Sequence, residues 1–180
     1  MKLAAVVGFS VMMASSSLFA MGFTTETGKH FTNLDTELGK SSSGLYLQGS
    51  WLKNTKDGVQ TAGAGVGYNL ELGPVMFNLG TKAVYIEPRK GDNGIAFPVG
   101  GGVNISLFDG LAIYGEGYSA TKSQANSVKN YVEANAGMSW QPITPVMVKV
   151  GYRHVSVDGE KGRPGHTLID GPYAGVGLTF

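Results

Sequence analysis

From Gly44 onward the chain repeats one unit: a run of about ten residues in which apolar and polar or small positions alternate, closed by a turn. In "GLYLQGSWL", Leu45, Leu47 and Trp51 share one face, with Tyr46, Gln48 and Ser50 on the other. "QTAGAGVGYNL" sets Ala62, Ala64, Val66, Tyr68 and Leu70 against Thr61, Gly63, Gly65, Gly67 and Asn69. "VMFNLGTKAVYI" sets Val75, Phe77, Leu79, Ala83 and Tyr85 against Asn78, Gly80 and Lys82. "IAFPVGGGVNISL" and "LAIYGEGYS" follow, the second with Glu116 at its middle. "YVEANAGMSW" opposes Val132, Ala134, Ala136, Met138 and Trp140 to Tyr131, Glu133, Asn135 and Ser139. "VMVKVGYRHVSV" opposes its valines and Tyr152 to Lys149 and Arg153, and "PYAGVGLTF" is the last run.

These eight runs predict eight strands. The connections alternate in character. "KNTKDG", "EPRKGDNG", "TKSQANS" and "DGEKGRPGHTLID" are polar and mostly longer, whereas "ELGP", "FDG" and "QPITP" are tight. Long loops on one side and short turns on the other is the layout of an outer-membrane barrel. A soluble β-sandwich also alternates, but three features oppose it here. The apolar faces are nearly unbroken, while the opposite faces carry charge at mid-strand. Glycines on the inner face suit a narrow barrel, where little side-chain volume fits. Aromatic residues stand near strand ends (Trp51, Tyr68, Tyr85, Trp140, Tyr152, Phe180), as girdles at the two membrane interfaces require. The expected fold is an all-β, antiparallel, up-and-down transmembrane barrel.

Residues 21–43 leave two readings open. Phe31, Asn33, Asp35 and Glu37 alternate faintly with Thr32, Leu34, Thr36 and Leu38. The segment is either a lead-in to eight strands, which the length favours, or an extra hairpin that makes ten.

The first twenty residues, "MKLAAVVGFSVMMASSSLFA", have a positive start, an apolar run and a small, polar close. That is the build of a secretory signal peptide, expected to be cut after Ala20 to leave residues 21–180 as one domain. The apolar run is about half of what a spanning helix needs. The chain has no cysteine, so no disulfide supports the exported domain. Its formal charge of +1 argues against a nucleic-acid partner. The 28 glycines are about twice the usual share, and they fall inside the apolar runs without a collagen period.

In a closed barrel the last strand pairs with the first, because every backbone group facing lipid must be satisfied. The closing residues also resemble the C-terminal signal that the barrel-assembly machinery reads, with Tyr173, Gly175, Leu178 and Phe180 at its marked positions. The mature chain as a whole resembles the YfaZ family of bacterial outer-membrane proteins. The residues that carry this are "ETGKHFTNL" (26–34), "YNLELGPVM" (68–76), "VGGGVN" (99–104), "VKNYVEANAG" (128–137), "VGYRHVSV" (150–157) and "DGPYAGVGLTF" (170–180). The resemblance implies an outer-membrane barrel and brings no catalytic motif.

Candidate chemistry is sparse. Lys82, Glu116, Glu133, Lys149 and Arg153 are expected to point inward and to form a lumen charge network, since an unpaired buried charge is very costly. A narrow ion or small-solute path lined by the same charges is the alternative. His154 and Ser156 lie two apart on one strand and so share a face. The outer-membrane lipid A deacylases resemble this locally, with His-x-Ser before Asn, but Val157 stands where Asn is expected. His30 and His166 have no second ligand at zinc spacing, and no helix follows "GAGVG" or "VGGGVN" to make a phosphate loop. No metal or cofactor is expected. Arg89, Lys90, Lys161 and Arg163, in the long loops, are candidates for meeting lipopolysaccharide phosphates. The reading is a small monomeric barrel, structural or envelope-associated and non-catalytic. Its expected partners are outer-membrane lipids including lipopolysaccharide, the barrel-assembly machinery and periplasmic chaperones. A narrow pore and a lipid A-modifying enzyme are the alternatives.

Overall fold

The computed structural model describes residues 20–87, 93–121, 124–126, 128–159 and 166–180. Twelve strand segments follow one another: β1 (Met21–Gly28), β2 (Phe31–Leu38), β3 (Gly44–Asn54), β4 (Gln60–Leu72), β5 (Val75–Glu87), β6 (Gly94–Ala96), β7 (Val99–Phe108), β8 (Leu111–Thr121), β9 (Ala125–Asn126), β10 (Val128–Ile143), β11 (Val146–Gly159) and β12 (His166–Thr179). All pairings are antiparallel, and β12 returns to β1, so the sheet closes on itself. β6 and β7 are two halves of one wall strand, and β9 is a two-residue rung laid on β6. The wall is therefore a closed barrel of ten strands.

The eight-strand expectation is thus corrected. Residues 21–38 form a hairpin within the wall, between β12 and β3, with registers such as Glu26↔Asn33 and Asp35↔Ser50. The signal was faint because half of the outward positions of this hairpin are threonine (Thr25, Thr27, Thr32, Thr36). Threonine suits a strand but leaves little apolar contrast to read.

Two further boundaries differ. β11 and β12 extend to pair Val157 with His166, so much of "DGEKGRPGHTLID" is ladder. The run "IAFPVGGGVNISL" breaks at Phe97–Pro98, because a proline has no N–H for the ladder. Its carbonyl still accepts from Lys82 N at 3.0 Å, and Phe97 N donates instead to Gln124 O at 2.8 Å.

The barrel has two ends. Met21, Phe180 and the turns at 39–43, 73–74, 109–110 and 144–145 lie at one, the terminal end. There Asp109 and Gly110 adopt φ of 46° and 75°, the left-handed pair that a two-residue hairpin turn needs. The last residues of β1, β3, β5, β8 and β11 (Gly28, Asn54, Glu87, Thr121 and Gly159) lie at the far end. At the seam, Met21 N donates to Phe180 O at 3.1 Å and Phe180 N to Met21 O at 2.9 Å, tying the last residue into the wall.

Side chains alternate across this wall. Leu45, Leu47, Val66, Leu79, Val99, Val150 and Val176 face outward and are exposed. Trp51, Tyr85 and Tyr152 ring this apolar band toward the far end, with Tyr68, Phe108, Trp140 and Phe180 toward the terminal end. An apolar band bordered by aromatic girdles is the lipid face of a membrane barrel.

Candidate functional site

The lumen has three levels. Its far half is filled with apolar side chains: Phe31, Leu52, Val84, Ile86, Ala96, Ala120, Tyr131, Val155, Leu168 and Ile169 form one buried cluster. They stand at the far ends of their strands, where the outward neighbours include polar residues such as Lys53, Glu87, Ser119, His154 and Asp170.

Below this plug a charge network crosses the waist. Arg153, only 3% exposed, reaches Glu26 Oε2 at 3.0 Å and Asp35 Oδ2 at 3.3 Å with Nη2. Its Nη1 lies 3.9 Å from Glu133 Oε1. Lys82 Nζ is 3.0 Å from Glu133 Oε2, which also accepts from Tyr131 OH at 3.0 Å, and the same ammonium sits 3.8 Å from the centre of the Tyr118 ring. Asn33 Nδ2 donates to Glu26 at 3.2 Å and to Asp35 at 2.6 Å. Tyr118 OH meets Tyr46 OH at 3.2 Å, and Tyr173 OH donates to Asn135 at 2.7 Å. Charges taken out of water are tolerable only with such dense pairing and hydrogen bonding.

The terminal half is open. A cavity of about 480 Å³ runs from the turns at 73–74 and 109–110 inward to Glu26, Asp35, Glu116 and Asn135. Lys40, in the turn before β3, folds into it and bridges Glu37 at 2.9 Å and Glu116 at 3.2 Å. Burial pulls the Lys40 ammonium down, but the Glu116 and then the Glu37 carboxylates outweigh it and hold its pKa well above the ordinary lysine value. Lys149 also lines the cavity, 5.4 Å from the centre of the Tyr114 ring. No group of three or more His, Cys, Asp or Glu among the described residues is arranged to hold a metal ion.

Of the five expected network residues, Lys82, Glu133 and Arg153 come together directly, Glu116 is held in a separate bridge with Lys40 and Glu37, and Lys149 stands at the cavity wall. His154 and Ser156 lie on the outer surface near the far end. His154 Nδ1 is 3.3 Å from Asp170 Oδ1, an oxygen that also accepts from Tyr152 OH at 2.7 Å. No hydrogen bond joins Ser156 to His154 among the described residues; Ser156 is paired in register with Thr167 instead. Tyr173 points into the lumen and Gly175 shares its face, whereas Leu178 and Phe180 face outward. His30 lies in the β1–β2 turn and His166 at the start of β12. The segment 1–19 and the loop residues Arg89, Lys90, Lys161 and Arg163 lie outside the described residues.

The profile of the family described as "YfaZ precursor" matches residues 1–180. The chain belongs to the YfaZ family. The "Outer membrane protein YfaZ" of Escherichia coli (strain K12) is 38% identical over 181 residues, covering 100% of both chains. A solved chain from "Unveiling the Mechanism Behind the in-meso Crystallization of Membrane Proteins" aligns with 90% of this chain and 83% of its own, at 14% identity and a TM-score of 0.42. The YfaZ family member described here is an exported outer-membrane β-barrel protein.

Sequence reasoning missed the acidic half of the waist and cavity. Glu26 on β1 and Asn33, Asp35 and Glu37, two apart on β2, take inward positions of the first hairpin, and Lys40 follows in the next turn. The spacing of Asn33, Asp35 and Glu37 carried that signal. It counts only if residues 31–38 are a wall strand. The plug was legible as well, since Val84 and Ile86 continue the inward phase of Lys82.

Proposed function

We infer that this barrel is a non-conducting, non-catalytic structural element of the outer membrane. It is a monomer with the terminal end in the periplasm and the far end at the cell surface. The observation that carries the reading is the layered lumen: an apolar plug across the far half, above a waist in which Arg153 binds Glu26, Asp35 and Glu133. An ion crossing would have to enter a region lined by Val84, Ile86, Val155 and Ile169, where the buried polar side chains among the described residues are Thr61 and Asn54, the latter already bonded to the Leu168 carbonyl at 2.5 Å, too few to replace its hydration. The orientation follows the usual arrangement of short turns on the periplasmic side. The C-terminal residues Tyr173, Gly175, Leu178 and Phe180 serve the barrel-assembly machinery, after escort by periplasmic chaperones. Lipopolysaccharide surrounds the far end, and Arg89, Lys90, Lys161 and Arg163, in the sequence between β5 and β6 and between β11 and β12, are the residues proposed to meet its phosphates.

Planar bilayer recording tests this. The folded protein is expected to give no unitary current steps. Reproducible steps that change with Arg153→Ala or Glu116→Gln overturn it in favour of a narrow pore.

One observation supports a second reading, a lipid A-modifying hydrolase. His154 is already held by an acid, Asp170, at the outer surface, with Ser156 two residues away. In such an enzyme a histidine base activates a serine nucleophile. Mass spectrometry of lipid A from overexpressing cells, beside a Ser156→Ala control, decides it. An acyl-chain change that needs Ser156 establishes the enzyme, and an unchanged spectrum leaves the structural reading.

A further inference from the structure

We propose that the open terminal half of the lumen is a binding site for a small organic cation, an amine or polyamine. The cavity of about 480 Å³ is in the range of small-molecule sites and is closed above by the waist. Its lining carries six acids, Glu26, Asp35, Glu37, Glu71, Asp109 and Glu116, against two lysines, Lys40 and Lys149. The waist offsets only part of that excess, because Arg153 and Lys82 are shared with Glu133 as well.

The hydrogen bonds sharpen the choice of ligand. Lys40 takes Glu37 Oε1 and Glu116 Oε2, and Asp35 Oδ2 takes Asn33 and Arg153. That leaves Glu37 Oε2, Glu116 Oε1 and Asp35 Oδ1 without a hydrogen bond among the described residues. All three side chains keep part of their surface open, at 25%, 18% and 19% exposure. A second, independent feature lies in the same wall. The Asn78 side chain is nine-tenths buried, lines the cavity, and its amide oxygen has no hydrogen-bond partner among the described residues.

An anion would meet net negative charge in a cleft walled by low-dielectric barrel, which focuses the field and favours cations. A bare metal ion is disfavoured, because no three of the acids converge as ligands. An ammonium has donors to share among separate carboxylates, and the apolar walls at Met76 and Met147 suit a methylene chain.

Spermidine is the probe, with citrate as the charge-reversed control, titrated calorimetrically into the full folded barrel in non-ionic detergent. The expected result is saturable one-to-one binding of spermidine and none of citrate. The Glu37→Gln/Glu116→Gln variant is expected to weaken it by about ten-fold or more. Ala112→Phe, which fills the cavity and leaves every charge in place, is expected to do the same. Heat-dependent gel mobility shows that each variant is folded. The inference is overturned if wild-type protein shows no saturable spermidine binding, if citrate binds as well, or if folded variants keep wild-type affinity. The readout is independent of bilayer current, so this proposal and the non-conducting reading fail separately.

Discussion

Arg153 on β11 and Glu26 on β1 meet at 3.0 Å, with β12 between their strands and the Tyr173 ring beneath the guanidinium at 5.9 Å. They are 3% and 1% exposed, so neither charge has water to fall back on. One contact therefore ties the late strands to the first hairpin inside the lumen.

Removing one partner of a buried pair strands the other charge, at a cost of about 3–5 kcal/mol. Arg153→Met is expected to lower the urea unfolding midpoint accordingly. Arg153→Met/Glu26→Gln is expected to regain part of the loss. A wild-type midpoint for the single variant would show that the waist contributes nothing to stability.

The first hairpin is part of the wall, so a chain lacking residues 21–38 is expected not to form a compact barrel. β3 and β12 lack each other's register once β1 and β2 are gone. Heat-modifiable gel mobility after refolding into detergent checks this. A faster-migrating, heat-sensitive band from the shortened chain would restore the eight-strand reading.

Inner-face glycines divide by what a methyl group would meet. At Gly100 it would run into the Gly117 carbonyl oxygen of the neighbouring strand, whereas at Gly171 nothing lies within 4 Å. Gly100→Ala is expected to destabilise by about 1–3 kcal/mol, and Gly171→Ala to stay within about 0.5 kcal/mol. Equilibrium unfolding of the two variants side by side is the measurement.

Val150 lies outward at mid-strand and is half exposed. In lipid, Val150→Arg is expected to cost about 2–4 kcal/mol, as a cation at the bilayer midplane does. Unfolding from phospholipid vesicles reads this directly, and a negligible effect would mean that this face does not contact hydrocarbon.

The lysine in the turn before β3 has a testable pH signature. Its raised pKa means that the stability it contributes is fully present below the ordinary lysine pKa, and is lost only as pH rises through the raised one. The difference in unfolding midpoint between wild type and Lys40→Met is therefore expected to stay constant from about pH 6 to about pH 9. A difference that shrinks across that range would mean that Lys40 is not held by Glu37 and Glu116.

The strands from Gly44 on were legible because each sets a lipid-facing apolar row against a small or polar inner row, a contrast that periodicity detects directly. Lys82, Glu133 and Arg153 could be placed inside on phase alone. Glu26 and Asp35 could not, because threonines on the outside of the first hairpin hide its period. Phase also says which way a side chain points and not how far it reaches. The Lys40 bridge from a turn to Glu116, 76 residues away, had no signature in the spacing.

The division of the lumen into a filled half and an empty half also governs how freely its sequence can drift. Around Val84, Ala96, Ala120 and Val155 each side chain is enclosed by the others, so one replacement demands a matching change nearby. Around Met76, Asn104, Ser106 and Gln141 the walls border open space, and size can vary there without touching the ladder. Related barrels can diversify the open half while inheriting the filled half almost unchanged, so one scaffold can be retuned to new occupants without relearning how to fold.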